Sequence, residues 1–201
     1  MRIDELTGYK RNDVYRTAQN IFKREDDGDS GYRIAEMRKF TTYLQRHGFT
    51  MLGDGNFGVV YEKPGYPWVF KVFKGDPAYL YFVRYCKMHS GNQNLPQFKG
   101  NLIRINVDTY AIRTEKLDKA APDEIKPLEK MASYLKMLRY WGDTNISSSA
   151  VTTLQELSQQ YPGIYSILDE LSKQYVLDIH QGNVMRRDST LVLTDPIVRR
   201  G

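Results

Sequence analysis

The chain has 201 residues, of which 41% are hydrophobic, 12% aromatic and 26% charged. That is enough apolar material for one or two compact units, and it excludes global disorder. The net charge of +5 suits an anionic ligand such as a nucleotide, a nucleic-acid partner, or plain solubility, and charge alone does not separate these. The single cysteine, Cys86, excludes an internal disulfide and makes a reducing compartment the default. Its neighbours Phe82, Val83 and Tyr85 point to a buried structural thiol. His47, His89 and His180 have no partner at zinc-ligand spacing. No apolar run approaches the roughly 18 residues that span a bilayer, and the opening MRIDELTGYKR has no apolar stretch of a secretory signal. A cytoplasmic protein without a membrane partner is expected.

In chain order, residues 1–48 read as a helical N-terminal extension. Val14, Ala18, Ile21 and Phe22 form one stripe, and Ile34, Met37, Phe40, Tyr43 and Leu44 form another, on either side of Gly28–Gly31. From Phe49 the period shortens. Phe49–Leu52, Val59–Glu62 and Trp68–Phe73 read as strands, rich in β-branched and aromatic residues and bounded by glycine and proline. Asp76-Pro77 opens a helix to about His89. Leu102–Val107 and Tyr110–Glu115 predict two more strands. Pro127 is read as opening a helix through Leu128, Met131, Leu135 and Leu138. Ser147-Ser148-Ser149 reads as a polar linker, and Ile164, Leu168, Leu171 and Tyr175 form a further helical stripe. Short strands at Val184–Arg186 and Leu191–Thr194 flank Asp188-Ser189.

Three motifs carry chemistry. Leu52-Gly53-Asp54-Gly55-Asn56-Phe57-Gly58-Val59-Val60 fits G-x-G-x-x-G-x-V, whose bare glycines let backbone approach a phosphate chain. The spacing also occurs in dinucleotide folds, but there a helix follows directly. Here Val59, Val60 and Tyr61 continue as a strand, so the glycines sit at a hairpin bend. Gly53, Gly55, Asn56, Gly58 and Val60 are the nucleotide-binding candidates. On the next strand Lys71 shares a face with Val69 and Phe73, and a lysine on an apolar surface calls for an anion. Lys74, nearer the strand end, is expected to be solvated. The third motif is Asp178-Ile179-His180-Gln181-Gly182-Asn183, with Asp195 twelve positions on in Thr194-Asp195-Pro196. Phosphoryl transfer to a hydroxyl needs a carboxylate near the acceptor proton, for which Asp178 is the candidate. It also needs oxygen ligands for Mg²⁺, and these would be Asn183 and Asp195.

Glycine loop, strand lysine, D-x-x-x-x-N loop and late aspartate, in this order, resemble the protein-kinase-like superfamily. More narrowly, Phe49–Tyr61 (FTMLGDGNFGVVY), Cys86–Pro96 (CKMHSGNQNLP) and Asp178–Pro196 (DIHQGNVMRRDSTLVLTDP) are similar to the early serine/threonine protein kinases of short-tailed lytic coliphages, which act in host shutoff. The resemblance implies an α+β, two-lobed fold, with a small antiparallel sheet lobe over residues 49–116 and a reduced helical lobe over 117–201. It implies ATP and Mg²⁺ as cofactors, with Lys71 on the α/β-phosphates. Glu115 and Leu117 would offer hinge backbone to adenine. Host proteins of transcription, RNA processing and translation are the implied substrates in the host cytoplasm, together with autophosphorylation, for which Ser147 to Ser149 and Thr152 are the exposed-looking candidates. Direct nucleic-acid binding is not expected.

The sequence also departs from the kinase pattern. No glutamate stands between Glu62 and Glu115, so the usual helix partner of the strand lysine is missing. Val176-Leu177 replace the usual His-Arg before the catalytic aspartate, which removes the common anchor for a phosphorylated activation loop. D-[LI]-H-x-G-N is shared with aminoglycoside- and choline-type kinases, which gives a small-molecule kinase as the alternative enzyme. A kinase-like module that binds a host protein without catalysis is the non-enzymatic alternative. Six residues follow Asp195. Either a minimal kinase that uses its N-terminal 48 residues as missing surface, or a piece of a longer protein, would account for that.

Overall fold

The fold is that of a computed structural model, which describes residues 41–55, 58–104, 109–141 and 147–199. It is α+β. Contacts divide the chain into two compact units, Met1–Asp76 with Phe98–Lys116, and Pro77–Gln97 with Leu117–Gly201.

The first unit is built on a five-stranded antiparallel sheet, in the order β1-β2-β3-β5-β4. Its strands are β1 (Thr50–Gly55), β2 (Gly58–Glu62), β3 (Trp68–Lys74), β4 (Phe98–Arg104) and β5 (Thr109–Glu115). Side-chain alternation sorts the central strands cleanly. Tyr61, Phe70, Val72 and Ala111 turn to one face and form a buried cluster with Leu44, against which Tyr43, Phe49, Val59 and Ile103 pack. Residues 41–46 are helical, and Thr41 Oγ1 lies 2.8 Å from the Tyr61 hydroxyl. The end of the expected N-terminal helical stripe is therefore part of the sheet's core. The rest of that stripe, and the whole of the stripe from Val14 to Phe22, lie outside the described residues.

The second unit opens with α1 (Pro77–Met88). Then follow β6 (Asp118–Lys119), α2 (Pro122–Trp141), α3 (Ser148–Gln160), α4 (Pro162–Ser172), β7 (Val176–Leu177), β8 (Val184–Arg187), β9 (Thr190–Leu193) and β10 (Ile197–Val198). Ile125, Leu128, Met131 and Leu135 of α2 and Ile164, Ile167, Leu168 and Leu171 of α4 are buried, the helical spacing that makes one apolar stripe on each. The Arg139–Asp169 ion pair ties α2 to α4.

Three sequence expectations are corrected here. Pro127 does not open α2 but lies inside it. The helix starts at Pro122, where the Glu124 carboxylate accepts from the Ala121 amide at 2.8 Å, one half of a capping box. Pro127 removes one helical hydrogen bond, to the carbonyl of exposed Asp123, where water can replace it. Ser147–Ser149 is not a linker. Ser147 is the N-cap of α3, its hydroxyl accepting from the Ala150 amide, and Ser148 and Ser149 form the first turn. Tyr175 follows the end of α4 rather than extending it.

Candidate functional site

In the first unit the glycine motif forms the β1–β2 hairpin, closed by the pair Gly55 and Gly58. Asn56 lies outside the described residues. A side chain at Gly58 would bring its Cβ to 2.6 Å from the Val72 carbonyl oxygen and 2.8 Å from Phe73 Cβ, so the close approach of β2 to β3 demands glycine there. At Gly53 the same construction meets nothing within 4 Å, so this glycine leaves open space. A register shift between Met51 and Gly53 adds a bulge beside it.

Lys71 of β3 is paired with Val60 on β2 and Ile112 on β5. These three make one cross-strand row on the face away from the Leu44–Tyr61 cluster. Lys71 is flanked along its strand by buried Val69 and Phe73, as the alternation in the sequence requires, while Lys74 is exposed. Glu115 ends β5, and the chain passes from the first unit to the second between Lys116 and Leu117. The Lys116 amide donates to the Pro67 carbonyl at 2.9 Å, and its ammonium is paired with Glu62.

In the second unit Asp178, Asn183 and Asp195 are brought together by two short ladders. β7 pairs with β10, Leu177 opposite Ile197, and the Asp178 amide donates to the Pro196 carbonyl at 2.8 Å. β8 pairs with β9, Val184 opposite Leu193, and the Thr194 amide donates to the Asn183 carbonyl at 2.8 Å. Asp195 is therefore bracketed by backbone bonds to both of the other residues. The Asn183 side chain, at 9% exposure, donates through Nδ2 to the Asp178 carbonyl at 2.8 Å, and its Nδ2 also lies 3.2 Å from Asp178 Oδ2. A carbonyl only accepts, so Nδ2 must face Asp178, and Oδ1 is left for another ligand.

His180 sits over the same loop. Its Nδ1 accepts from the Gly182 amide at 3.0 Å, and a Cβ on Gly182 would come within 2.9 Å of the imidazole. Its Nε2 lies 2.9 Å from Asn183 Nδ2 and 3.6 Å from Asp178 Oδ2. A neutral imidazole has one acceptor nitrogen. The Asn183 amide donates to Nε2 only in the tautomer in which Nδ1 carries the proton. Tyr79 of α1 is buried, and its hydroxyl pKa is raised well above the usual tyrosine value, first by burial and then by the nearby Asp195 carboxylate.

The donor set fits a hard cation bound together with phosphate. Among the described residues no three His, Cys, Asp or Glu side chains gather to hold a metal by themselves. One carboxylate, Asp195, and one amide oxygen, Asn183 Oδ1, would leave most positions to phosphate oxygens and water, which is how Mg²⁺ is commonly bound with nucleotides.

The sequence matches the family model of bacteriophage T7 protein kinase 0.7 over residues 27–198. The chain belongs to that family. The matched segment contains the glycine hairpin, Lys71 and the whole Asp178–Asp195 region. Among curated proteins none matches the chain. No helix of the described residues is long and apolar enough to cross a membrane.

Motif reading missed the residues that anchor the Asp178–Asp195 region through backbone. β7 and β10, two residues each, carry no periodicity to detect. Asn94, which grips β9, and Arg187, which reaches from β8 to hold the turn that carries Asn94, resemble any loop asparagine and any strand arginine. The signal for Asn94 was its place in the Cys86–Pro96 stretch, to which no chemistry had been assigned.

Proposed function

We propose that this phage kinase family member is an ATP- and Mg²⁺-dependent serine/threonine protein kinase with a two-lobed kinase-like fold. On this reading residues 49–116 are the small lobe and residues 117–201 a reduced large lobe. The observation that carries the reading is the Asn183 amide, donated to the Asp178 carbonyl with Oδ1 left over, beside a backbone bond that sets Asp195 next to it. A merely structural loop asparagine has no need to leave its oxygen unused.

In the proposed reaction Asp178 orients a protein serine or threonine hydroxyl and takes its proton. A bond forms between that oxygen and the γ-phosphorus of ATP, the bond to the β,γ-bridging oxygen breaks, and ADP leaves. Asn183 and Asp195 would hold Mg²⁺, which supplies charge neutralisation at the phosphates when bound. Lys71 would meet the α/β-phosphates, with Val60 in the same row against the base. Gly53 and Gly55 would keep side chains away from the phosphate chain, while Gly58 lets β2 lie close to β3, and Glu115 and Leu117 would offer backbone groups to adenine, since the amide of Lys116 is already committed. Substrates would be host proteins of transcription, RNA processing and translation, and the protein itself, in the host cytoplasm.

The test is incubation with γ-³²P-ATP and Mg²⁺, with a host lysate or the protein alone as acceptor. Label on serine or threonine, lost in Asp178→Ala and Asp195→Ala, is the expected result. Nucleotide binding without label on any protein would overturn the reading. Transfer to a small aminoalcohol but never to protein would replace it with a small-molecule kinase.

A further inference from the structure

The segment between α1 and β4 has no helix or strand of its own between Met88 and Phe98, yet its backbone and side chains are densely bonded. Asn92 O accepts from the Leu95 amide at 3.2 Å, and Asn92 Oδ1 accepts from the Asn94 amide at 2.9 Å, which folds residues 92–95 into a turn of the kind asparagine side chains favour. Arg187, the last residue of β8, spans this turn. Its Nη1 donates to the Gln93 carbonyl at 2.9 Å and its Nη2 to the Leu95 carbonyl at 3.0 Å. A planar fork with donors on two nitrogens can hold two carbonyls at fixed spacing, and a lysine cannot.

Between those carbonyls stands Asn94, at 8% exposure. Its Nδ2 donates to the Leu191 carbonyl at 2.9 Å, and its own carbonyl accepts from the Leu193 amide at 3.0 Å. β9 is an edge strand of its three-stranded sheet. Leu191 and Leu193 therefore present the groups an additional strand would pair, and Asn94 satisfies both from a single residue. The fit is tight on the other side as well. A Cβ on Gly163, in the first turn of α4, would lie 2.4 Å from Asn94 Oδ1.

We propose that Asn94 is a positioning residue for the Asp195 carboxylate, acting through the backbone of β9, with Arg187 fixing the turn that carries it. The hairpin gripped in this way has Asn183 just before one strand and Asp195 two residues beyond the other. Residues 93–95 hold both strands at once, Arg187 from β8 and Leu191 and Leu193 from β9. The Thr194 amide, between the grip and Asp195, is bonded to the Asn183 carbonyl, so a shift of Leu193 reaches both proposed metal ligands together. This rests on the kinase reading given above.

The test compares Asn94→Asp, which keeps the shape but turns an acceptor toward the Leu191 carbonyl, with Gly163→Ala, which pushes the Asn94 amide without altering it. Mn²⁺·ATP affinity is read by electron paramagnetic resonance, and amide hydrogen exchange is read at Leu193 and Thr194. The expected result is a loss of about 10- to 100-fold in Mn²⁺·ATP affinity in Asn94→Asp, the range found when groups that orient metal ligands are removed. Exchange at Leu193 and Thr194 should rise more than at the α2 core amides Leu128 and Met131 in both variants. Unchanged Mn²⁺·ATP affinity, or exchange that rises equally at all four amides, would overturn the positioning role. A wild-type protein that binds Mn²⁺·ATP but phosphorylates nothing sinks the kinase reading and leaves the positioning role standing. A wild type that binds no Mn²⁺·ATP sinks both.

Discussion

In the sheet unit, Lys71 and Val60 are aimed by strand register, each held in a row by the ladders on both sides. In the helical unit, Asp178, Asn183 and Asp195 lie at strand ends, and what sets them is a group of individual hydrogen bonds, several from backbone to backbone. The first arrangement spreads its precision over five strands and a buried core. The second concentrates it in a few contacts around one hairpin. Substitutions should therefore act differently in the two units, through global stability in the first and through local geometry in the second.

The largest expected effect is in the second unit. Asp178→Ala and Asp195→Ala should each lower phosphoryl transfer by about 10²- to 10⁴-fold, the range for loss of a positioned acid–base group or an equivalent metal ligand. The urea unfolding midpoint should move little, because both side chains are partly solvated. A collapse of stability in either variant would erase the contrast between the units.

Next comes the first unit. Leu44, fully buried in the sheet cluster, should cost about 2–5 kcal/mol on replacement by alanine, measured by chemical denaturation. A loss below ~1 kcal/mol would mean that residues 41–46 are peripheral to the sheet.

Alkaline titration sharpens the comparison further. Burial raises the Cys86 thiol above its ordinary value of 9.0, and raises Tyr79 and Tyr85 above 10.0, with the Glu170 carboxylate adding to the effect at Tyr85. All three lie on α1. The fold favours their protonated forms, so this stability is fully present below pH 9, where the unfolded thiol is still protonated. It is lost progressively as pH rises past 9 and then past 10. Denaturation midpoints between neutral and strongly alkaline pH should fall in that order, and Cys86→Ala should remove the earlier onset. Tyr61 of the first unit, also raised by burial with its Thr41 hydrogen bond working the other way, adds to the later phase.

The smallest effect is at the α3 cap. Ser147→Ala should cost about 0.5–1 kcal/mol, the lower end because the bond to Ala150 is long at 3.3 Å.

Much of this was legible before any coordinates. β2, β3 and β5 fell within a residue or so of their expected limits, because alternation of buried and exposed positions writes itself into sequence. β4 begins at Phe98, four residues before the expected Leu102, and the expected end at 105–107 lies outside the described residues. The same alternation put Lys71 between Val69 and Phe73. What could not be read follows a physical pattern. α3 begins with three serines, which look like a linker until one of them is seen capping the helix. Pro127 looked like a helix start because proline is usual there, and the earlier apolar residue, Ile125, was too little to overrule it. β7 and β10 are too short for any period. Asn94 works through main-chain groups of Leu191 and Leu193, and main-chain groups are the same in every sequence.

The central claim is that Asn183 and Asp195 hold the metal that accompanies the nucleotide. A crystal structure with Mg²⁺ and a non-hydrolysable ATP analogue tests it most directly. Mg²⁺ is expected at about 2.0–2.1 Å from Asn183 Oδ1 and an Asp195 carboxylate oxygen, with Lys71 on the α/β-phosphates. A nucleotide bound away from these residues, or a metal that neither Asn183 nor Asp195 ligates, would contradict it.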